Sequence, residues 1–365
     1  MEFAQDGITT LHDFGDPVPS VDLGRVAVVV PLTTNDVGSE AVRSTFSTLA
    51  GLDPSDVVIP LRGGIETVQS VETLLDAVGL RATVLWCDAP TLAETLTAAG
   101  LPTDAGKGLD VWLGLACGAE RADIVVVHDA DALTYDTHHV PRLAWPISQG
   151  YRFSKGYYAR IDGDRLWGRL VRLLWTPLLE TISRSNPAPI VEYLSSFRYP
   201  LAGEMAVPAE TATQLRLTPG WGLEVSILGE MFARAGRGGT AQVDLGTHDH
   251  DHRPIDGDEG LVGMAAAVTG TLDEVLRSHG VEIEFSDMRD EYEQTAATYI
   301  DQYAADAAFN GFRFDRQKEH SQVATYRSVL RDDLDPSIKL PAFSETALTA
   351  TRIRNTARTR PRREV

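Results

Sequence analysis

The chain has 365 residues and a formal net charge of −19, with 52 acidic residues against 33 basic ones. A surface this acidic repels a phosphate backbone, so the composition argues against a nucleic-acid-binding role. The chain has only two cysteines, no signal-peptide pattern and no run of about 18 apolar residues, so we expect a cytoplasmic protein without a disulfide framework or a transmembrane helix.

Strands and helices alternate over the first third of the chain. Short β-branched apolar runs predict buried parallel strands, and apolar residues at helical spacing predict the helices between them. The strands are predicted at 25–32, 56–61, 82–87 and 124–127, and the helices at 39–52, 66–79, 90–100 and 106–119. This order predicts a doubly wound, mostly parallel α/β sheet, in which ligands bind beyond the carboxyl ends of the strands.

The second half is less regular. Helices are predicted at 164–182 and 222–236, a strand at 241–246, and mostly helices over 256–333 apart from an alternating stretch at 281–287. We divide the chain into a lead-in (1–24), an α/β domain (25–255), a helical C-terminal region (256–335) and a tail, disordered in part (336–365). The long C-terminal helices also suggest a homodimer.

The stretch IVVVHDADAL places Asp129 and Asp131 directly after a buried strand. In an extended segment, residues two apart point the same way, so the two carboxylates repel each other unless a cation or a shared proton lies between them. Mg²⁺ and Mn²⁺ prefer oxygen ligands and usually share their shell with substrate phosphates. The segment therefore predicts a metal–diphosphate site.

Two further motifs offer partners for these acids. In THDHDHRP, residues His248, His250 and His252 alternate, so at least one imidazole is expected to join the carboxylates as a ligand, which suits Mn²⁺ or Zn²⁺ more than Mg²⁺. Lys107 lies between two glycines at a predicted helix start, where backbone N–H groups and the helix dipole favour an anion. It is one of only four lysines, and an acid-rich, lysine-poor chain predicts a halophilic host.

Taken in order and spacing, several motifs carry a family resemblance. GKG, DAD, PLAGE (200–204), GWGLEVSIL (220–228) and AQVDLGTHDH (241–250) resemble the glucosyl-3-phosphoglycerate synthase group, which is related to the mannosylglycerate synthases. The resemblance spans roughly 25–255 and implies a retaining glycosyltransferase with the GT-A fold, a Rossmann-like sheet flanked by helices, here with a helical C-terminal extension. It also implies a donor half at about 25–135, an acceptor half at about 136–255 and a role in making compatible solutes.

The resemblance implies roles for individual residues. Asp131 and His250 would bind Mg²⁺ or Mn²⁺, and Glu224, Asp131 and Lys107 would be catalytic. The implied donor-binding residues are Pro31, Leu32, Asp36, Lys107, Asp129, Ala130, Gly203 and Glu204. The implied acceptor-binding residues are Gly168, Arg169, Glu224 and His252.

Three departures from the family pattern leave the substrates open. TTND (33–36) stands in place of an Asn-Glu-Glu loop, and RGG (62–64) replaces an acidic, serine-rich turn, so the donor is a UDP- or a GDP-hexose. In the acceptor region the chain has Val171, Asp251 and His252 where the family has a threonine, a basic residue and an amide. The acceptor therefore stays open between 3-phosphoglycerate, glycerate, another small hydroxy acid and an altogether different molecule.

We interpret the protein as a metal-dependent hexosyltransferase acting on a nucleoside-diphosphate sugar. Retention follows from the resemblance alone, and in the absence of an evident enzymic nucleophile we expect front-face attack assisted by the leaving phosphate. Three alternatives stay open: a nucleotidyltransferase of sugar phosphates, a metal-dependent hydrolase using HDHDH, and a non-catalytic sugar-nucleotide-binding protein.

Overall fold

The fold is organised around one ten-stranded sheet with the strand order β1-β10-β7-β9-β6-β2-β4-β3, in which β5 pairs with β4 and β8 with β7. The computed structural model describes residues 5–103, 106–249, 257–334 and 338–358. The strands are β1 (Thr9–Leu11), β2 (Val26–Val29), β3 (Leu32–Thr33), β4 (Asp56–Arg62), β5 (Thr83–Trp86), β6 (Ile124–Val127), β7 (Phe153–Asp162), β8 (Arg165–Leu166), β9 (Met205–Pro208) and β10 (Thr240–His248).

Helices cover both faces of this sheet. They are α1 (Glu40–Leu52), α2 (Ile65–Val78), α3 (Pro90–Ala98), α4 (Lys107–Ala119), α5 (His139–Ser148), α6 (Thr176–Ser185), α7 (Pro189–Ser195), α8 (Ala209–Ala212), α9 (Leu223–Ala235), α10 (Gly257–Ser278), α11 (Arg289–Phe309), α12 (Arg316–Val329) and α13 (Ala350–Thr356). Short 3-10 turns occur at Leu23–Arg25 and Phe343–Glu345, and a π-helix at Leu170–Trp175.

The donor half follows its sequence pattern closely. Every residue of β2 and β6 is buried, as continuous apolar runs require when helices pack on both faces. Ser39 caps α1 by accepting a hydrogen bond from the Val42 amide, and Gly79 ends α2 with a φ of 74°, a conformation that glycine adopts without strain. The predicted α/β class with a mostly parallel sheet is confirmed.

The acceptor half differs from its prediction. The helix predicted at 164–182 is wrong over its first residues, because β7 and β8 form a hairpin in which Ile161 pairs with Leu166, and helical structure begins only at Leu170. The long strand β7 received no prediction, since its sequence FSKGYYARID mixes charges and glycine with apolar residues. In the stretch predicted as a lead-in, β1 pairs with β10 as a parallel edge strand.

Strand β9 reverses direction within the sheet. It runs antiparallel to both β6 and β7, and Met205 at its start pairs with Val127 at the end of β6 and with Lys155 on β7. An antiparallel strand places its amino end beside the carboxyl ends of its neighbours. The PLAGE segment, which precedes β9, therefore lies beside the HDAD segment, which follows β6.

The C-terminal region packs back onto the α/β domain. Helices α10, α11 and α12 contact α9, α6 and the π-helix respectively. The chain then returns to the donor half, where the Trp112 indole donates to the Pro341 carbonyl (2.9 Å) and the Trp86 amide to the Ala357 carbonyl (2.8 Å). Within residues 336–365, for which the sequence predicts a tail disordered in part, α13 packs against α3, α4 and β5. Across the described ranges, no helix combines the length and apolar character needed to span a bilayer.

Arg354 on α13 attaches this C-terminal segment to the sheet, and its removal is expected to destabilise the fold. Its guanidinium lies 3.1 Å from Asp56 and donates to Thr83 (3.0 Å), with Arg354 and Asp56 side chains only 4% and 7% exposed. Arg354→Met should lower the free energy of unfolding by about 3 kcal/mol, because it leaves a buried carboxylate without its main partner. Arg25→Met, which breaks the exposed Arg25–Asp123 pair, should cost less than about 1 kcal/mol. Equal losses for the two variants in urea denaturation would contradict this role of Arg354.

Candidate active site

The HDAD segment leaves the sheet at the carboxyl end of a central strand. Val127 is the last residue of β6, and the His128 amide still donates to the carbonyl of Val29 (3.0 Å). The His128 side chain is fully buried, whereas Asp129 and Asp131 are partly exposed. The two acids thus lie at the edge of the sheet where ligands bind in open α/β folds.

Lys107 joins two of the predicted site residues. Its ammonium lies 2.6 Å from Asp129 Oδ1 and 3.3 Å from Glu224 Oε1. Lys107 is the first residue of α4 and Glu224 lies in the first turn of α9, so the cluster draws on two helix N-termini and on the end of β6. Burial acts to lower the pKa of Lys107, but the charges of Asp129 and Glu224 outweigh it and the pKa is raised. This lysine is therefore a permanent cation at neutral pH.

The two acids of HDAD shift in opposite directions. Burial acts to raise the pKa of Asp129, but the charge and the hydrogen bond of Lys107 dominate, so this pKa is lowered. Burial, and next the negative charge of Asp129, raise the pKa of Asp131. Of these two acids, Asp131 is thus the one whose ionised form an added cation would stabilise more.

The PLAGE segment closes the site from the other side. A Cβ on Gly203 would lie 2.3 Å from Asp129 Oδ2, so only glycine allows this approach. Glu204 is 2% exposed, and within the described part of the chain its Oε2 atom has no hydrogen-bond partner. Burial and the charge of Asp129 raise the pKa of Glu204. A buried acceptor of this kind calls for a donor from a ligand or a water.

Lys155, which no sequence motif marks, lies on β7 next to this cluster. It is 1% exposed, and its ammonium donates to the carbonyl of Ala202 in the PLAGE segment. Burial lowers the pKa of Lys155 to about 8, against the opposing charges of Glu224 and Glu204. The available signal was the scarcity of lysine: two of only four lysines, Lys107 and Lys155, lie in this site.

Asp131 and His248 offer two donors, one oxygen and one nitrogen, that suit a divalent cation. His248 ends β10, is 4% exposed and stacks on Tyr158 with ring centroids 4.2 Å apart. Burial lowers its pKa to about 4, so its ring is neutral at pH 7 and can offer a nitrogen ligand. His250 and His252 lie outside the described residues, and their metal and acceptor roles stay predictions. Within the described ranges, no three His, Cys, Asp or Glu side chains form a metal-binding group by themselves.

The predicted nucleotide-binding residues follow β2 at the same edge. Leu32 is 2% exposed and pairs with Leu61, so it and the adjoining Pro31 form a wall rather than a polar contact. Asp36 accepts hydrogen bonds from the amide and hydroxyl of Thr33, both at 2.7 Å, and so shapes this turn. Ala130 is 4% exposed, between the two acids.

The RGG turn lies beside these residues, on the neighbouring strand. The Arg62 guanidinium donates to Asp110 (2.7 Å) and to Asp88 (3.1 Å), and Asp88 also accepts from the Gly63 amide (2.8 Å). The charge of Arg62 is therefore largely neutralised within the protein, although the residue stands where the family carries an acidic turn.

The predicted acceptor residues follow the β7–β8 hairpin. Gly168 has a φ of 74°, and a Cβ there would lie 3.0 Å from the Tyr199 hydroxyl. Arg169 donates to Gln322 Oε1 (3.2 Å), and its guanidinium lies 5.9 Å from the centre of the Trp167 ring. Because Gln322 belongs to α12, the C-terminal region supports the acceptor turn directly.

Comparison with known proteins identifies relatives along nearly the whole chain. The glucosyl-3-phosphoglycerate synthase of Methanococcoides burtonii is 31% identical over 96% of this chain and 94% of its own length. The enzyme of the same name from Persephonella marina is 33% identical over 73% of this chain and 70% of its own. No model of a protein family matches.

Solved structures give the same result. A crystal structure of glucosyl-3-phosphoglycerate synthase from Mycobacterium tuberculosis with Mn²⁺, uridine-diphosphate-glucose and phosphoglyceric acid superposes with a TM-score of 0.56, at 26% identity, covering 76% of this chain and 89% of that one. The same enzyme with Mg²⁺ and uridine-diphosphate superposes with a TM-score of 0.55, at 26% identity, over 76% and 88% of the two chains. The expected GT-A fold is confirmed.

Gly203→Ala tests the close contact between PLAGE and HDAD. The added Cβ must push Asp129 away and so disturb its pairing with Lys107, which should weaken binding of a nucleoside diphosphate with Mn²⁺ by about tenfold or more. Isothermal titration calorimetry measures this affinity. Gly263→Ala on α10 is the matched control, since a Cβ there meets open space. If both variants bind as the wild type does, the contact has no role in the donor site.

Lys155→Met tests the buried ammonium through its pH dependence. The unfolded chain keeps this proton up to the ordinary pKa of 10.5, whereas the folded protein loses it near 8, so the free energy of unfolding should rise with pH over that window. Relative to Lys155→Met, the wild type should gain up to about 3 kcal/mol between pH 7.5 and 10.5. Urea denaturation at both pH values measures the difference, and a gap between the two proteins that does not change with pH would refute the buried-cation interpretation.

Proposed function

The chain belongs to the glucosyl-3-phosphoglycerate synthase family, and on this premise we propose that it transfers a hexose from a nucleoside-diphosphate sugar to a small anionic hydroxyl acceptor, using Mg²⁺ or Mn²⁺. The observation that carries the proposal is the convergence of Lys107, Asp129 and Glu224 beside Asp131 at the carboxyl end of β6. Relatives with this name make 3-phosphoglycerate the first acceptor to test, with glycerate as the second.

Asp131 and a histidine of the segment after β10 would hold the metal ion. When bound, the ion supplies positive charge that offsets the charge developing on the leaving diphosphate. His250 holds this position by the family pattern, and His248 offers a neutral ring beside the same acid. Asp129, already paired with Lys107, is then the acid that positions the donor rather than the main ligand.

In this proposal the Lys107 ammonium binds the diphosphate of the donor. Its ammonium is shared by Asp129 and Glu224, and phosphate oxygens would compete with these carboxylates for it. The positive end of the α4 dipole adds to the attraction at the same place. As negative charge grows on the leaving group, Lys107 stabilises the transition state more than the bound donor.

Glu204 and Glu224 are suited to hold the sugar. Both are partly or fully buried acceptors beside Lys107, and Glu204 Oε2 is satisfied once a sugar hydroxyl donates to it. Two carboxylates that each accept from a hydroxyl would fix the ring of the hexose against the diphosphate. This orientation presents one face of the anomeric carbon to the acceptor.

The reaction then proceeds on a single face of the sugar. The bond between the anomeric carbon and the β-phosphate oxygen breaks, and the acceptor hydroxyl oxygen bonds to the same face of that carbon. The hydroxyl proton passes to the departing phosphate oxygen, so atoms and charge balance and the configuration is retained. Arg169, at the acceptor turn, binds an anionic end of the acceptor and holds its hydroxyl on that same face.

We also place this reaction in the cytoplasm. Cys87 and Cys117 are both buried free thiols, as is usual for proteins of a reducing compartment.

The proposal is tested by substrate-dependent release of the nucleoside diphosphate. UDP-glucose and GDP-glucose are each incubated with the protein, with Mg²⁺ or Mn²⁺ in high salt, with 3-phosphoglycerate, with glycerate or with neither. We expect release that depends on both acceptor and metal and that stops when the metal is chelated. A protein that releases diphosphate from no donor under any of these conditions is not this enzyme.

Asp131→Asn should lower kcat by about 100- to 1000-fold, because the amide is a much weaker ligand for a hard divalent cation. Asp76→Asn, on the exposed face of α2 and far from the site, should keep wild-type kcat. Raising the Mn²⁺ concentration should partly restore the Asp131→Asn variant. Wild-type kcat in this variant would remove Asp131 from the metal site.

A further inference from the structure

Arg160 lies inside the site, although no motif points to it. It is near the end of β7, where it pairs with His248 of β10. Its side chain shares a strand face with Tyr158, whose ring stacks on the His248 ring at 4.2 Å. The positive charge of Arg160 acts on both Asp129 and Asp131, so the guanidinium lies within electrostatic reach of the metal-binding acids.

The same guanidinium reaches the acceptor turn through Tyr199. It hydrogen-bonds the Tyr199 side chain, whose hydroxyl lies 3.0 Å from the position that a Cβ on Gly168 would occupy. The Tyr199 and Tyr158 ring centroids are 4.7 Å apart, so the two aromatic side chains that neighbour Arg160 also contact each other. Arg160 is therefore connected through Tyr199 to the predicted acceptor turn, and its charge also acts on Asp131.

The two anionic groups of the acceptor lie at different distances from its attacking hydroxyl, so they call for cations at different distances from the metal site. In a 2-hydroxycarboxylate the carboxylate carbon is bonded directly to the carbon that carries the attacking hydroxyl. The phosphorus of a phosphate ester on the third carbon is separated from that carbon by one carbon and one oxygen atom. The cation that binds the carboxylate must consequently lie near the metal-binding acids, and the cation that binds the phosphate must lie farther out. Arg160, whose charge acts on Asp131, meets the first requirement, and Arg169, which donates to Gln322 at the predicted acceptor turn, is the candidate for the second.

Building on the proposed function, we propose that Arg160 binds the carboxylate of the acceptor and leaves the distal phosphate to Arg169. A guanidinium is suited to this because it presents two parallel N–H donors to the two oxygens of a carboxylate. The Tyr199 hydroxyl and the pairing of β7 with β10 hold Arg160 in place for the contact. Arg160 is then the residue that distinguishes a hydroxy acid from a simple sugar-alcohol phosphate.

The test uses three acceptor-site ligands that carry different anionic groups. 3-Phosphoglycerate has both groups, glycerate only the carboxylate and glycerol 3-phosphate only the phosphate. KM is measured for 3-phosphoglycerate, and the other two compounds are measured as competitive inhibitors against it. The variants are Arg160→Gln and Arg169→Gln, and Arg165→Gln, an exposed arginine of the same hairpin, is the matched control.

We expect Arg160→Gln to raise the KM for 3-phosphoglycerate and the inhibition constant of glycerate by about 30-fold each, while the inhibition constant of glycerol 3-phosphate changes less than about twofold. Arg169→Gln should show the converse, with glycerol 3-phosphate weakened and glycerate little affected. Arg165→Gln should match the wild type. Arg160→Gln variants that weaken glycerol 3-phosphate as much as glycerate, or neither, would overturn the assignment.

Two controls distinguish a failure of the carboxylate assignment from misfolding of the variant and from a failure of the proposed function. If Arg160→Gln does not fold, Arg160→Lys keeps the charge but loses the planar pair of donors, and it should give the same ligand pattern with a smaller change. If the wild type transfers no sugar at all, the proposed function fails. If the wild type transfers sugar and the Arg160 variants discriminate among the three ligands as it does, only the carboxylate assignment fails.

Discussion

The site depends on the balance of charge between a cluster of carboxylates and the few cations that lie among them. Asp129, Asp131, Glu204 and Glu224 meet at one edge of the sheet, all partly or wholly buried. Buried like charges raise one another's pKa or require cations nearby. Lys107 provides such a cation at 2.6 Å from Asp129. This contact pairs Asp129 with a cation of the protein and leaves Asp131 as the acid proposed to bind the metal ion.

The fold creates this cluster through the direction of a single short strand. Because β9 runs antiparallel to β6, its amino end lies beside the carboxyl end of β6, where Met205 pairs with Val127. Gly203 can then lie directly against Asp129, and Glu204 enters the same space. A parallel β9 would place PLAGE at the opposite edge of the sheet, and Glu204, proposed to bind the sugar, would be separated from Lys107, proposed to bind the diphosphate, by the length of a strand.

The donor half could be predicted from sequence because its information is local. The strands β2 and β6 are continuous apolar runs, and the glycines around Lys107 mark a helix start within a few residues of it. The acceptor half could not be predicted in the same way. Strand β7 carries Lys155 and Arg160 within ten residues, so its pattern is that of a polar loop, and its identity as a strand follows only from pairing with β9 and β10, about 50 and 90 residues away.

The same limit applies to the site residues. Lys107, Asp129 and Glu224 were each predicted from a separate motif, and the structure brings their side chains together. Neither Lys155 nor Arg160 lies in a motif, because their roles arise from register: one reaches the PLAGE carbonyl and the other faces His248.

The distribution of the two kinds of basic residue has a physical reason in this chemistry. The chain has arginine in place of lysine almost everywhere, yet it keeps Lys107, where the proposed function has phosphate oxygens exchange with carboxylates during turnover. An ammonium on a flexible stem is a point charge that can change partners without a fixed orientation, whereas a guanidinium binds best in one planar geometry. The ammonium therefore suits a phosphate group that departs, and the guanidinium suits a carboxylate that must be held at a defined angle. The proposed roles of Lys107 at the donor and of Arg160 and Arg169 at the acceptor thus match a reaction in which the diphosphate leaves while the acceptor is held in place.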